Sequence, residues 1–166
     1  MTMKPSVKLF TLLVVPILFI GCTTAPQPPD TAAMLASASA LDESFVAAYN
    51  QGDADALAAL YWNSPDVVSF LPDQMEVRGH DAIRAANAAA FEGMAGAHLE
   101  LTESHQMPAG DVVIGWGLWR LTMPAADGTT QEMTGRYTDV KAERDGKWVY
   151  LLDHASVPAP PPPADE

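Results

Sequence analysis

The sequence predicts an α+β fold in which three helices pack in a curved, mostly antiparallel sheet. Three observations predict it. Apolar residues recur at helical spacing only up to about Met94, and the rest of the chain reads as long strands with apolar residues alternating along them. The stretch 31–157 between two Pro-rich ends is about 127 residues, enough for one domain and too short for two.

The first segment lies outside that domain. Lys4 and Lys8 stand without an acid before Leu9 to Ile20, a run dominated by apolar residues, as in the n-region and h-region of a signal peptide. A dozen residues at a helical rise of ~1.5 Å cover ~18 Å, short of the ~30 Å hydrocarbon core, which argues against a permanent transmembrane helix. Leu18-Phe19-Ile20-Gly21-Cys22 resembles a lipobox, departing from it at Phe19, where leucine is usual. The resemblance implies a signal peptide over 1–21, cleavage before Cys22, and lipid on that cysteine as the membrane anchor. Cys22 is the only cysteine, so no disulfide forms within the chain. Thr23 rather than aspartate after it implies the outer membrane of a bacterial envelope, facing the periplasm. Residues 22–30 are Pro-rich and read as a tether, and 158–166 as a disordered polyproline tail.

In the domain, Asp30 or Thr31 caps a first helix reaching Asn50, with Leu35, Leu41, Phe45, Val46 and Tyr49 at roughly helical spacing and Gly52 as the stop. Asp53 caps a second helix from Ala54 to about Trp62, ended by Pro65. Val67 to Leu71 and Met75 to Arg78 read as short strands around a Pro72-Asp73 turn, and a third helix runs from about Asp81 to Met94 with His80 at its start. Four strands follow, about His98 to Met107, Val112 to Met123, Gln131 to Arg144 and Lys147 to Val157, joined by Gly-containing turns. Val112, Ile114, Trp116 and Leu118 alternate with Val113, Trp119, Leu121 and Met123, leaving both faces of that strand apolar. One face covers the helices; the other predicts a homodimer packed sheet to sheet.

Phe45-Val-Ala-Ala-Tyr-Asn-Gln-Gly-Asp53, then Ala-Leu-x-x-Leu-Tyr, resembles the opening of the SnoaL-like and ketosteroid isomerase-like families of the nuclear transport factor 2-like superfamily. Val77-Arg78-Gly79 before Ala82-Ile83, Gly135 to Val140, and Asp145-Gly146-Lys147-Trp148 agree with it in order. His154-Ala155-Ser156 is similar to the ending of the calmodulin-kinase association domain and its bacterial relatives. The resemblance covers about Leu35 to Val157 and implies a cone-shaped fold that hosts isomerases, dehydratases, cyclases and binding or assembly modules alike.

A ketosteroid isomerase needs a carboxylate base with a tyrosine and a neutral carboxylic acid as oxyanion donors. By resemblance the tyrosine falls at Phe45 and the base near Phe70 or Leu71, which cannot do those jobs, and only the acid finds a match, at Asp139. Which group faces Asp139 depends on the last hairpin. A two-residue turn at Asp145-Gly146 pairs Arg144 with Lys147 and places Asp139 on the face of His154. A three-residue loop places it on the face of Asp153. The first register makes His154 a general base oriented by Asp139, beside Tyr137; in the second, His154 and Ser156 bond structural groups on the other face. Trp116, Trp119 and Trp148, with Tyr49 and Trp62 on the helices and Tyr137, are candidates to line an apolar cavity, and Arg136 to pair with an anionic ligand or with Glu132 or Asp153.

A formal charge of −12, becoming −14 when residues 1–21 take away Lys4 and Lys8 and no acid, repels phosphate backbones and excludes nucleic acid as a partner. His98 and His105, seven apart on one strand, fall on opposite faces by parity, and no metal-ligand or phosphate-loop motif occurs, so no metal or other cofactor is expected. The reading is an envelope lipoprotein whose domain binds a small, largely apolar or weakly anionic molecule without catalysis. The alternative is a cofactor-independent isomerase or lyase using His154 with Asp139.

Overall fold

The computed structural model describes residues 30–125 and 127–159. Helices α1 (Thr31–Gln51), α2 (Ala54–Ala58) and α3 (His80–Gly93) combine with strands β1 (Val68–Phe70), β2 (Val77–Arg78), β3 (His98–Ala109), β4 (Val112–Pro124), β5 (Thr130–Arg144) and β6 (Lys147–Ser156). Asp30 caps α1, its Oδ1 accepting from the amides of Ala32 and Ala33 at 3.0 and 3.2 Å, and Gly52 ends the helix at φ 64°, which glycine adopts without steric cost. Asp53 accepts from Ala56 N at 2.8 Å to start α2. That helix stops earlier than its apolar spacing predicts, because the chain beyond it hydrogen-bonds to β6: Trp62 N donates to Tyr150 O and Tyr150 N to Leu60 O. At α3 the N-cap is Gly79 with no side-chain cap, and His80 is the first residue of the helix.

The strands form one sheet in the order β2-β1-β6-β5-β4-β3, antiparallel except for the parallel pair β1 and β6. The helices cover its concave face, with α1 against β3 and α2 against α3. Leu41, Leu57, Tyr61, Val67, Ile83 and Tyr150 form one core cluster, and Leu99, Trp119, Leu121 and Tyr137 another. Phe45 and Tyr49 of α1 pack against both, so the first helix joins the two halves of the core.

Two bulges set the geometry. In β3, Leu101 pairs with Trp119 and Glu103 with Leu118, leaving Thr102 extra; in β6, Val140 faces Leu152 and Lys141 faces Tyr150, leaving Leu151 extra. Each inserted residue flips the face of everything beyond it. His98 and His105 lie opposite Thr122 and Trp116, two positions of one face, so the bulge corrects the parity reading that separated them. The last hairpin does make the two-residue turn, with Arg144 paired to Lys147 and Asp145 and Gly146 at φ 53° and 75°. The bulge at Leu151 then places Asp153, not His154, on the face of Asp139.

Candidate active site and ligand cavity

The concave face of the sheet, α1 and α3 enclose a cavity of about 450 Å³. Its walls are apolar and aromatic: Phe45 and Tyr49 from α1, Leu99 and Leu101 from β3, Trp119 and Leu121 from β4. Exposed Pro72, Asp73, Ala89, Gly93 and Met133 rim the opening. Inside, β5 and β6 contribute Tyr137, Asp139, Tyr150 and Asp153, joined by Tyr61. Two glycines of the neighbouring strand β4 make room for Asp139 and Tyr137. A Cβ at Gly115 would fall 2.5 Å from Asp139 Oδ1, and one at Gly117 would fall 2.8 Å from Tyr137 Cε1.

A buried polar cluster backs this end. The Lys141 ammonium, at 0% exposure, sits 2.6 Å from Asp42 Oδ1 and 2.7 Å from Oδ2. Asp42 also accepts from Tyr150 OH at 2.7 Å and Gln106 Nε2 at 2.9 Å, so both of its oxygens are satisfied. Asp153 accepts from Tyr61 OH at 2.9 Å and Ser69 Oγ at 3.4 Å. Asp139 differs from both. Its Oδ1 lies 3.2 Å from Lys141 Nζ, but the angles are wrong for a hydrogen bond and that buried oxygen accepts none.

Burial raises the Asp139 carboxyl to about 7; Lys141 pulls it down, and Asp42 and Asp153 push it up. Asp153 is also raised, by burial first, against the hydrogen bonds from Tyr61 and Ser69. Burial raises the tyrosines that face the cavity, Tyr137 to about 12, so they stand as protonated donors at neutral pH. The site therefore offers one carboxyl poised to gain or lose a proton near neutrality, inside an apolar enclosure.

Of the residues singled out from sequence, Tyr49, Trp119, Tyr137 and Asp139 line the cavity, as do Asp153, the alternative partner of Asp139, and Phe45 and Leu71 at the isomerase positions. His154, Trp116, Arg136, Trp62 and Trp148 do not. His154 pairs with Thr138 on the outer face, exposed and edge-on to Phe70, so the His154/Asp139 couple does not form. Trp116 is also on the outer face, 41% exposed and stacked on His105. Arg136, exposed there, donates to Ser156 Oγ at 3.2 Å, while Glu132 lies beside Arg120 instead. Trp62 packs on the core under the Arg144 guanidinium. Cys22 lies outside the described residues. Among the described residues no cluster of three or more metal-ligating side chains occurs, and no helix is long and apolar enough to cross a membrane.

Sequence reasoning missed Asp42 and Lys141, although signals for both were present. Asp42 interrupts the apolar stripe of α1 between Ala38 and Phe45, and Lys141 shares strand parity with Tyr137 and Asp139.

Solved structures share this architecture. A nuclear transport factor 2-like superfamily protein from Salmonella enterica superposes with a TM-score of 0.71 at 20% identity, over 82% of this chain and 99% of that one. A protein of the same family from Streptomyces avermitilis gives 0.69 at 16%, over 78% and 99%. A cystatin-like fold from Caulobacter vibrioides gives 0.66 at 21%, over 77% and 92%. At these identities the likeness is one of fold, and it defines the class: the cone-shaped α+β proteins of the nuclear transport factor 2-like type. Residues 43–151 match the SnoaL-like domain, and the chain belongs to that family. No curated protein matches it.

Proposed function

We propose that the domain binds a small, largely apolar molecule in the cone cavity, with one polar end of the ligand set against Asp139. The observation that carries this is an enclosed apolar space of about 450 Å³ in which a buried carboxyl oxygen has no hydrogen-bond partner. A cavity of that size and lining suits a ligand anchored by burial and oriented by one or two polar contacts. Trp119 lines it, whereas Trp62, Trp116 and Trp148 do not, so its fluorescence reports occupancy. Titration with neutral aryl-alkanols is expected to give a saturable change that Trp119→Phe removes while calorimetry still detects binding. No saturable binding by either method would sink the proposal.

A second reading, proton-transfer chemistry of the isomerase or lyase kind, is favoured by Asp139 standing at about 7. Phe45 and Leu71 line the cavity without a protonatable group, and Asp153 is engaged by Tyr61 and Ser69, so Asp139 would be its working acid or base. Hydrogen–deuterium exchange next to the carbonyl of a bound aryl ketone, lost in Asp139→Asn, is the expected signature. As to location, the lipobox-like Cys22 supports a lipid-anchored envelope protein facing the periplasm, and the apolar outer sheet face supports a homodimer.

A further inference from the structure

The polar cluster beside the cavity has more acids than bases. Asp42, Asp139 and Asp153 face a single ammonium, Lys141, and that ammonium is already held between both oxygens of Asp42. Asp153 is covered by the hydroxyls of Tyr61 and Ser69. Asp139 is left with one oxygen that accepts nothing, at 1% exposure and in the cavity wall. The same cavity is walled by the rings of Phe45, Tyr49, Tyr61, Trp119, Tyr137 and Tyr150, whose faces attract cations. We infer that the ligand is a lipophilic amine, its ammonium hydrogen-bonded to Asp139 and its apolar body against the aromatic walls.

The inference rests on the binding function proposed above and names the ligand's polar end. A neutral polar end would add no positive charge to a cluster of three carboxyls and one ammonium, and an anionic end would meet a second carboxyl at Asp153. An ammonium brings the donors that Asp139 Oδ1 lacks and adds a second positive charge to a cluster whose one cation, Lys141, is shared between Asp139 at 3.2 Å and both oxygens of Asp42. The chain's formal charge of −12 draws cations toward the opening.

The groups that set Asp139's charge come from every element around it. They are Lys141 and Tyr137 on its own strand, Asp42 on α1, Asp153 and Tyr150 on β6 and Tyr61 after α2, while Ser69 on β1 and Gln106 on β3 bond Asp153 and Asp42 in turn. Alkylammonium groups keep their proton to a pKa of roughly 10, so a change in affinity below about pH 8.5 reports the protein and not the ligand.

The test is isothermal calorimetry of the full chain with three probes of one shape: phenylbutylamine, phenylbutanol and phenylbutyrate. At about pH 8.5 the amine is expected to bind at least about tenfold tighter than the alcohol, as a charge-assisted hydrogen bond and cation–π contacts imply, with the carboxylate weakest. The margin should shrink in the wild-type chain by about pH 5.5, a readout that needs no variant to fold. In Asp139→Asn, with folding checked by circular dichroism, the margin should collapse while the alcohol still binds. Equal or tighter binding of the alcohol, or an amine preference that survives in Asp139→Asn, overturns the amine assignment and leaves the cavity function standing. No binding by any of the three overturns both.

Discussion

At the scale of single residues, Asp139 and Lys141 dominate because each is an ionisable group kept from water. With the Asp139 carboxyl raised from 3.8 to about 7, the folded state holds a proton there that the unfolded chain has released. Its contribution to stability is therefore complete below about pH 4 and is lost as pH rises through about 7. Denaturant titrations across that range should show Asp139→Asn gaining on the wild type by a few kcal/mol as pH rises, since asparagine carries no charge to bury. A gap between the two chains that does not change with pH would contradict this. Lys141 is the opposite case, a charge whose removal strands its partner. Lys141→Met takes the cation from the buried Asp42 and should cost ~3–5 kcal/mol, whereas Lys141→Met with Asp42→Leu should recover part of that loss. The residue identities of this site were visible in the sequence, and Tyr137 and Asp139 were picked out by it. Their neighbours were not, because Asp42 lies nearly one hundred positions away and only α1 packing on the sheet brings it to Lys141.

At the scale of elements, caps and turns were legible because a local rule fixes each one. Asp30, Gly52 and Asp53 bound the helices where the sequence places them, and Asp145-Gly146 forms the two-residue turn, one of the two hairpins the sequence left open. The bulges at Thr102 and Leu151 were not legible. No residue type there demands an insertion, and each arises from fitting a strongly curved sheet around helices. One bulge moved His154 out of the cavity and Asp153 in, so an argument from strand parity failed two residues beyond it. This has a direct consequence: His154→Ala should leave cavity binding and its pH dependence unchanged, while Asp153→Ala, which strands Tyr61 OH and Ser69 Oγ, should alter both. Calorimetry with the phenylbutyl probes separates the two, and a loss of binding in His154→Ala would return the imidazole to the site. The Tyr61↔Tyr150 bridge is another long-range effect, cutting α2 short where its apolar spacing would carry on.

At the scale of the whole molecule, the cavity face is closed by helices but the opposite face is not. Trp116, Leu118 and Met107 are 41%, 42% and 48% exposed on adjacent strands, an apolar patch that water solvates at a cost. We propose that a second copy covers it. Light scattering should then give a dimer mass, and the pair Trp116→Glu and Leu118→Glu should give a monomer that still binds the cavity ligand, because neither residue lines the cavity. A wild-type monomer would leave the patch unexplained. Charge bears on where that dimer resides. A chain of formal charge −12 is repelled by anionic headgroups, so electrostatics gives it no hold on a bilayer. We propose that membrane residence comes from covalent lipid on Cys22, since several acyl chains on one cysteine are enough for stable anchoring. Cys22→Ser should therefore move the protein wholly from the membrane pellet to the soluble fraction and abolish labelling by a radioactive fatty acid, with the cavity's binding intact. If the serine variant still pelleted with membranes at high salt and without label, the anchor would lie elsewhere in the chain.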